Sequence, residues 1–276
     1  MAKRIASTVA LWLILFAVLW FFSTAGAVAV IVCVSVLTLR EFYELMAAAG
    51  HAPFRRLGLL FGALITLAPW VESRLSLSWN PLVAVATLVF SFRMLHERTP
   101  EKRVEALAST LLGLVYVSLL LQYLVRIVTP VKGDGILPEG RLVLGLWVVA
   151  VAKFCDVGAL LTGLAIGRHA MAPAISPKKT WEGAAGGVAI AVAVGALVAW
   201  LGRAVLPANM TPARMALLSA PLAAVAIVSD LVESAFKRRA DQKDSGGGIP
   251  GIGGIFDLSD SLILAAPVGY FLLGLP

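Results

Sequence analysis

The sequence predicts an all-α integral membrane protein, a polytopic bundle of about nine transmembrane helices with its N-terminus inside and its C-terminus outside. Three observations predict this class. Of the 276 residues, 59% are hydrophobic and 14% charged, against about 25% charged in soluble globular domains, and the mean hydropathy is +0.90. The apolar residues fall in blocks of roughly 15 to 25, long enough to cross a ~30 Å hydrocarbon layer at ~1.5 Å per residue. Several blocks show no clear two-residue alternation, and the charges collect between blocks. That is the pattern of a helical bundle and not of an outer-membrane barrel.

The expected spans lie near 5–22, 25–40, 57–72, 81–95, 106–127, 142–167, 184–203, 215–236 and 258–275. The fourth is short, and the sixth is long enough to tilt or protrude. Pro and Gly punctuate the gaps, as in Gly50-His51-Ala52-Pro53 and from Gly246 to Gly254. The first block is too long for a signal-peptide core and lacks a small-x-small cleavage site, so no removable leader is expected.

Orientation follows from the basic residues of the connections. With the N-terminus inside, sixteen of the 23 Lys and Arg lie on the inner side, among them Lys3, Arg4, Arg55, Arg56, Lys102, Arg103, Lys178, Lys179 and Lys237 to Arg239. Six lie outside (Arg74, Arg126, Lys132, Arg141, Arg203 and Arg214), and Lys153 sits within a span. The net charge of +7 is thus spread over separate loops as membrane topology requires, and no nucleic-acid partner is expected. A single membrane domain covers 1–276. Spans of 1–130 form an N-terminal group, and helices of 142–276 carry the chemistry on cytoplasmic loops at 168–183 and 237–257. Cys33 and Cys155 both lie inside apolar blocks; a disulfide framework or a zinc site would need more ligands at tighter spacing, so the two are expected to be small buried residues.

The acidic residues place the chemistry. Five of the seven aspartates lie between Asp230 and Asp260, and a sixth is Asp156. Charges at the edge of spans are costly and face a wet cavity or a partner. Asp230, Glu233, Ser234 and Lys237 fall at i, i+3, i+4 and i+7, one polar stripe on an apolar helix. The loop after them, from Lys237 through Arg238, Lys243, Asp244 and the glycine run to Gly253 and Gly254, pairs close-approaching backbone amides with basic side chains, as phosphate binding requires. Asp257, Asp260 and Ser261 repeat the stripe at the start of the ninth span. Carboxylates from two adjacent helix ends are suited to a hard cation such as Mg²⁺.

A second patch is Ser176-Pro177-Lys178-Lys179-Thr180-Trp181-Glu182-Gly183. Ser then Pro reads as an N-cap and first helical residue, and a helix N-terminus with two lysines suits phosphate. Lys153 and Asp156, one turn apart, read either as a mutually neutralising pair or as part of the site. His51, His96 and His169 have no partner at metal-ligand spacing and are expected to be solvated or interfacial.

The run Ser229-Asp230-x-x-Glu233-Ser234-x-x-Lys237-Arg238, then Lys243-Asp244, then Pro250-Gly251-x-Gly253-Gly254-x-x-Asp257-x-x-Asp260 resembles the signature of phosphatidate cytidylyltransferases, also called CDP-diacylglycerol synthases. The Ser176–Gly183 patch, with Asp156 upstream, resembles the family's other marked segment. Leu39-x-Glu41-Phe42-Tyr43-x-Leu45 resembles it more weakly. The similarity is strong over about 150–262. Two positions depart from the family pattern: Ile252 stands where His is usual, and Leu258, followed by Ser259, stands where Arg is usual.

The resemblance implies transfer of the cytidylyl group of CTP to phosphatidic acid for phospholipid biosynthesis, in a bacterial inner membrane with the site facing the cytoplasm. It implies Asp230 and Asp257, with Asp260, as ligands of Mg²⁺, alongside a second, monovalent cation. Lys237 and Lys243 join the two aspartates as catalytic candidates. Ser176, Lys178, Lys179, Thr180, Arg238, Asp156, Asp244, Gly253 and Gly254 are the substrate-binding candidates, and a homodimer is expected. Rival readings are a CTP-dependent kinase of an isoprenoid alcohol, a transporter built on Lys153 and Asp156, and a non-catalytic partner of an active copy.

Overall fold

In a computed structural model, residues 2–75, 81–97, 102–246 and 253–276 are described, with few side chains described before Phe21. Helix α1 (Ala2–Ala48) bends at Ser23, whose φ of 48° is non-helical. It is followed by α2 (Arg55–Leu75) and α3 (Leu82–Leu95). Helix α4 (Arg103–Gly113) passes through a π-helical stretch, Leu114–Leu119, into α5 (Leu120–Val128). Then come α6 (Pro138–Ile166), strands β1 (Ala170–Ala172) and β2 (Ser176–Thr180), α7 (Trp181–Leu201), α8 (Pro212–Arg239) and α9 (Ile255–Leu273).

The chain is an all-α membrane protein apart from the β1–β2 hairpin. Among the described residues, six helices have the length and apolarity to cross a bilayer: Phe21–Ala48, Arg103–Val128, Pro138–Ile166, Trp181–Leu201, Pro212–Arg239 and Ile255–Leu273. Nine were expected. The span expected near 81–95 is the apolar but short helix Leu82–Leu95. The span near 57–72 is α2, which carries Arg55, Arg56, Glu72 and Arg74. The span near 5–22 is the first arm of α1, before the bend at Ser23.

The chain divides into two compact units, Met1–Val125 with Phe236–Ser259, and Arg126–Ala235 with Asp260–Pro276. In the first, glycines let helices close on one another: a Cβ at Gly58 would fall 2.6 Å from the Tyr43 ring, and one at Gly62 would fall 2.8 Å from Ser118 Oγ. The Tyr43 hydroxyl donates to Thr110 O at 3.0 Å, and the Ser35 and Thr66 hydroxyls meet at 2.8 Å. Phe42, fully buried, is ringed by Tyr43, Tyr116, Phe236 and Phe256. In the second unit α7 buries Gly183, Gly187, Ala191, Gly195 and Ala199, a stripe of small residues every fourth position. Between apolar helices in lipid, close contact of this kind replaces the hydrophobic drive available in water. A Cβ at Gly187 would fall 2.7 Å from Cys155 O of α6.

Candidate active site

In the second unit, α8 and α9 bring three carboxylates together. One oxygen each of Asp230, Glu233 and Asp260 lies within 4.8 Å of the others. Asp230 and Glu233 share a face of α8 because they stand at i and i+3. Glu233 is fully buried. The Ser229 hydroxyl donates to the Asp260 carbonyl and accepts from Leu264 N–H at 3.2 Å, which fastens the two helices at this level. Asp260 Oδ1 also accepts from Ser261 N–H at 2.6 Å.

Two ammonium groups answer these charges. Lys153 Nζ of α6 lies 3.2 Å from both Asp156 Oδ2 and Asp260 Oδ1, so Lys153 joins Asp156 to the cluster as well as neutralising it. The Ser261 hydroxyl donates to Asp156 Oδ2 at 2.9 Å. Lys179 Nζ approaches Asp230 Oδ2 to 2.5 Å. That contact depends on the hairpin: β1 and β2 pair antiparallel, with Ala170 opposite Thr180 and Ala172 opposite Ser176.

The hairpin corrects the expected helix start. Ser176 and Pro177 lie in β2, with Ser176 half-buried and Lys178 exposed. The N-cap is Thr180, whose Oγ1 accepts from Gly183 N–H at 3.1 Å. By residue type Ser caps at least as well as Thr. Here the extended strand carries Lys179 to Asp230, so capping passes to the later hydroxyl. Glu182, in the first turn of α7, accepts from the Arg168 and His169 backbone N–H groups at 3.1 and 3.2 Å and meets His169 Nδ1 at 2.5 Å. His169 is thus exposed but partnered.

The first unit holds the other candidates. A left-handed Asp241 (φ 53°) ends α8, and the Gln242 N–H closes back on Lys237 O at 2.9 Å, a Schellman-type stop. Asp257 accepts from Lys237 Nζ at 2.8 Å, Gly254 N–H at 2.7 Å and Ser245 N–H at 3.1 Å. Its side chain reaches back three residues to the amide that opens α9, in the manner of a capping box. Gly253 takes φ +119°, and a side chain there would strike Asp257 Oδ2. One on Gly254 would strike Glu41 Oε2 and Ser245 Oγ. Both glycines are required by close approach. Arg238, Lys243 and Asp244 are exposed, Leu258 is half-buried, and Ile252 lies outside the described residues.

Of the expected metal residues, Asp230 and Asp260 meet within the second unit, while Asp257 belongs to the first and is engaged there as a cap. Glu233 completes the carboxylate group; its place on the Asp230 stripe was the available signal. Glu41, from the weaker of the resembling segments, accepts from Ile255 N–H at 3.0 Å, Phe256 N–H at 2.8 Å and the Ser245 hydroxyl at 2.9 Å.

A sequence profile of the Cytidylyltransferase family matches residues 2–275. The chain is 33% identical over 272 residues to a protein of Synechocystis named phosphatidate cytidylyltransferase, a match covering 91% of this chain and 88% of that one. It is 43% identical over 125 residues to the protein of that name from Brucella suis, covering 45% of this chain and 44% of the relative. With that from Bacillus subtilis it shares 40% over 120 residues, covering 44% and 43%. The last two matches span a little under half of those relatives. This chain belongs to the phosphatidate cytidylyltransferase family.

Proposed function

We propose that this chain transfers the cytidylyl group of CTP to phosphatidic acid, giving CDP-diacylglycerol and pyrophosphate, at the cytoplasmic face of a bacterial inner membrane. Within the family, the observation that carries the reading is the convergence of Asp230, Glu233 and Asp260 within 4.8 Å. With Asp156, four carboxylates stand against the two ammonium groups of Lys153 and Lys179. The excess of carboxylates over ammonium groups and the all-oxygen donor set fit a hard divalent cation such as Mg²⁺. Asp230, Glu233 and Asp260 would hold it, and when bound it supplies charge neutralisation to the nucleotide phosphates. Asp257, already held by its own unit, is assigned to ordering the glycine run.

The chemistry suits these residues. The phosphate monoester of phosphatidate is ionised near neutral pH, so its oxygen needs no strong general base. It attacks the α-phosphorus of CTP, the bond from that phosphorus to the bridging oxygen breaks, and pyrophosphate leaves. Positioning and charge neutralisation carry such a reaction. Lys179 exchanges its contact with Asp230 for a phosphate oxygen, and Lys178 is exposed beside it on the same strand. Lys237, Arg238 and Lys243 are assigned to the triphosphate and lipid headgroup. The excess of basic residues in the expected inner loops supports an N-in chain of nine crossings, and a homodimer is the proposed assembly.

The test is purified protein in phosphatidate vesicles with Mg²⁺ and CTP labelled at the α-phosphate. The reading requires label in the lipid together with released pyrophosphate. Label reaching an isoprenoid alcohol only from the γ-position would establish a kinase instead. Full activity in Asp230→Asn would remove the cation assignment.

A further inference from the structure

The glycine run between α8 and α9 begins and ends at one pair of carboxylates, and one of the pair comes from a helix over two hundred residues away in sequence. Glu41 of α1 gives each of its oxygens to a first-turn amide of α9: Oε1 to Ile255 N–H at 3.0 Å, and Oε2 to Phe256 N–H at 2.8 Å. Oε2 also takes the Ser245 hydroxyl at 2.9 Å. That hydroxyl lies 3.0 Å from Asp257 Oδ2 as well, so its one proton is shared between the two carboxylates. Asp257 in turn holds Ser245 N–H and Gly254 N–H, one on each side of the run. The two ends are adjacent: a Cβ built on Gly246 would stand 3.1 Å from Glu41 Oε1 and 3.6 Å from Gly254 Cα.

Glycine-rich segments have the largest backbone freedom to lose on ordering. Fixing their ends therefore needs strong bonds, and a carboxylate at a helix N-terminus accepting from backbone amides supplies them. We infer that Glu41 is a positioning residue for nucleotide binding, clasping with Asp257 the two ends of the glycine run so that the run's ends and Lys237 are in place before CTP arrives. The inference rests on the cytidylyl-transfer reading for its ligand, though not for its geometry. Glu41 touches no reacting atom; its effect passes through Ser245, Ile255 and Phe256.

The test uses the full chain in phosphatidate-containing nanodiscs. Glu41→Gln keeps the side chain's size but replaces one acceptor oxygen with an amide that points donors at donors. The expected result is a KM for CTP raised about tenfold, with kcat changed by less than about threefold, since the acidic cluster is untouched. Hydrogen exchange in peptides covering residues 243–258 should quicken about tenfold. Glu41→Asp, which keeps both acceptors, should recover part of both effects. Glu44→Ala, which removes only an exposed pair with Arg40 at 3.1 Å, should change neither. Wild-type KM for CTP in Glu41→Gln overturns the inference, whether or not exchange quickens. If Glu41→Gln does not insert, Ser245→Ala removes the same bridge from the other side, and an unchanged KM and exchange rate there overturn it equally. Exchange needs no turnover. A wild-type protein that makes no cytidylated lipid, while Glu41→Gln still frees the segment, would sink the assigned reaction and leave the clasp standing.

Discussion

Glu233→Gln separates a cation site from a merely structural acidic cluster, because the two predict opposite signs for one measurement. The ligand oxygens of Asp230, Glu233 and Asp260 lie no more than 4.8 Å apart. Two unit charges at that separation repel by about 3.5 kcal/mol at an effective dielectric constant of ~20. Neutralising Glu233 removes two of the three repulsions, about 7 kcal/mol before its own attractions to neighbouring cations are subtracted. Any net gain raises the melting temperature in EDTA by about 2–4 °C per kcal/mol. Mg²⁺ should act in the opposite direction. The wild type gains about 2.7 kcal/mol at one hundred times the dissociation constant, and the variant, with one ligand fewer, should need about tenfold more Mg²⁺ for the same gain. The assay is thermal melting of the detergent-solubilised protein across a Mg²⁺ series, with the Mg²⁺ dependence of cytidylyl transfer beside it. A lower melting temperature in EDTA together with unchanged Mg²⁺ dependence would refute the cation assignment.

Lys179→Ala removes the 2.5 Å partner of Asp230; Mg²⁺ should then bind more tightly while the KM for CTP rises about tenfold, which titration of both ligands separates. Asp257→Asn should leave the Mg²⁺ dependence unchanged and loosen residues 243–258 in hydrogen exchange; a need for about tenfold more Mg²⁺ would return Asp257 to the cation. Asp134 forms an ion pair with Arg141, a guanidinium with no exposed side-chain surface. Burial alone would raise the Asp134 pKa, but the Ile136 amide and Arg141 outweigh it and hold the carboxyl below its ordinary value. A depressed folded pKa means that its contribution is complete above the unfolded value of ~4 and fades as pH falls through the folded one. Melting curves across acid pH should show that loss in the wild type and not in Asp134→Asn, which itself costs about 3–5 kcal/mol by stranding a buried charge. Gly187→Val, which drives a side chain toward Cys155 O, should destabilise by about 1–3 kcal/mol, read from the melting temperature in detergent.

The membrane class and the helical content were legible in the sequence, because hydropathy and the 3.6-residue period are properties of neighbouring residues. The stripe Asp230–Glu233 was legible for the same reason. Which helices are long and apolar enough to cross was only partly so: Leu82–Leu95 matches its expected position but is short, and α2 matches its own but is charged at both ends. Ser176 and Thr180 have the same capping chemistry, and the reach of Lys179 to Asp230 across the fold made the segment between them a strand. Asp257 and Asp260 stand three residues apart, about 60° around one helix, and nothing local says that Asp260 meets Asp230 or that Asp257 caps α9. Glu41 is over two hundred residues from the amides it holds. Residue type and spacing fix what a side chain is able to bond and which face of its helix it occupies; only the packing of helices distant in sequence decides which donor stands within ~3 Å of it, the range a hydrogen bond requires.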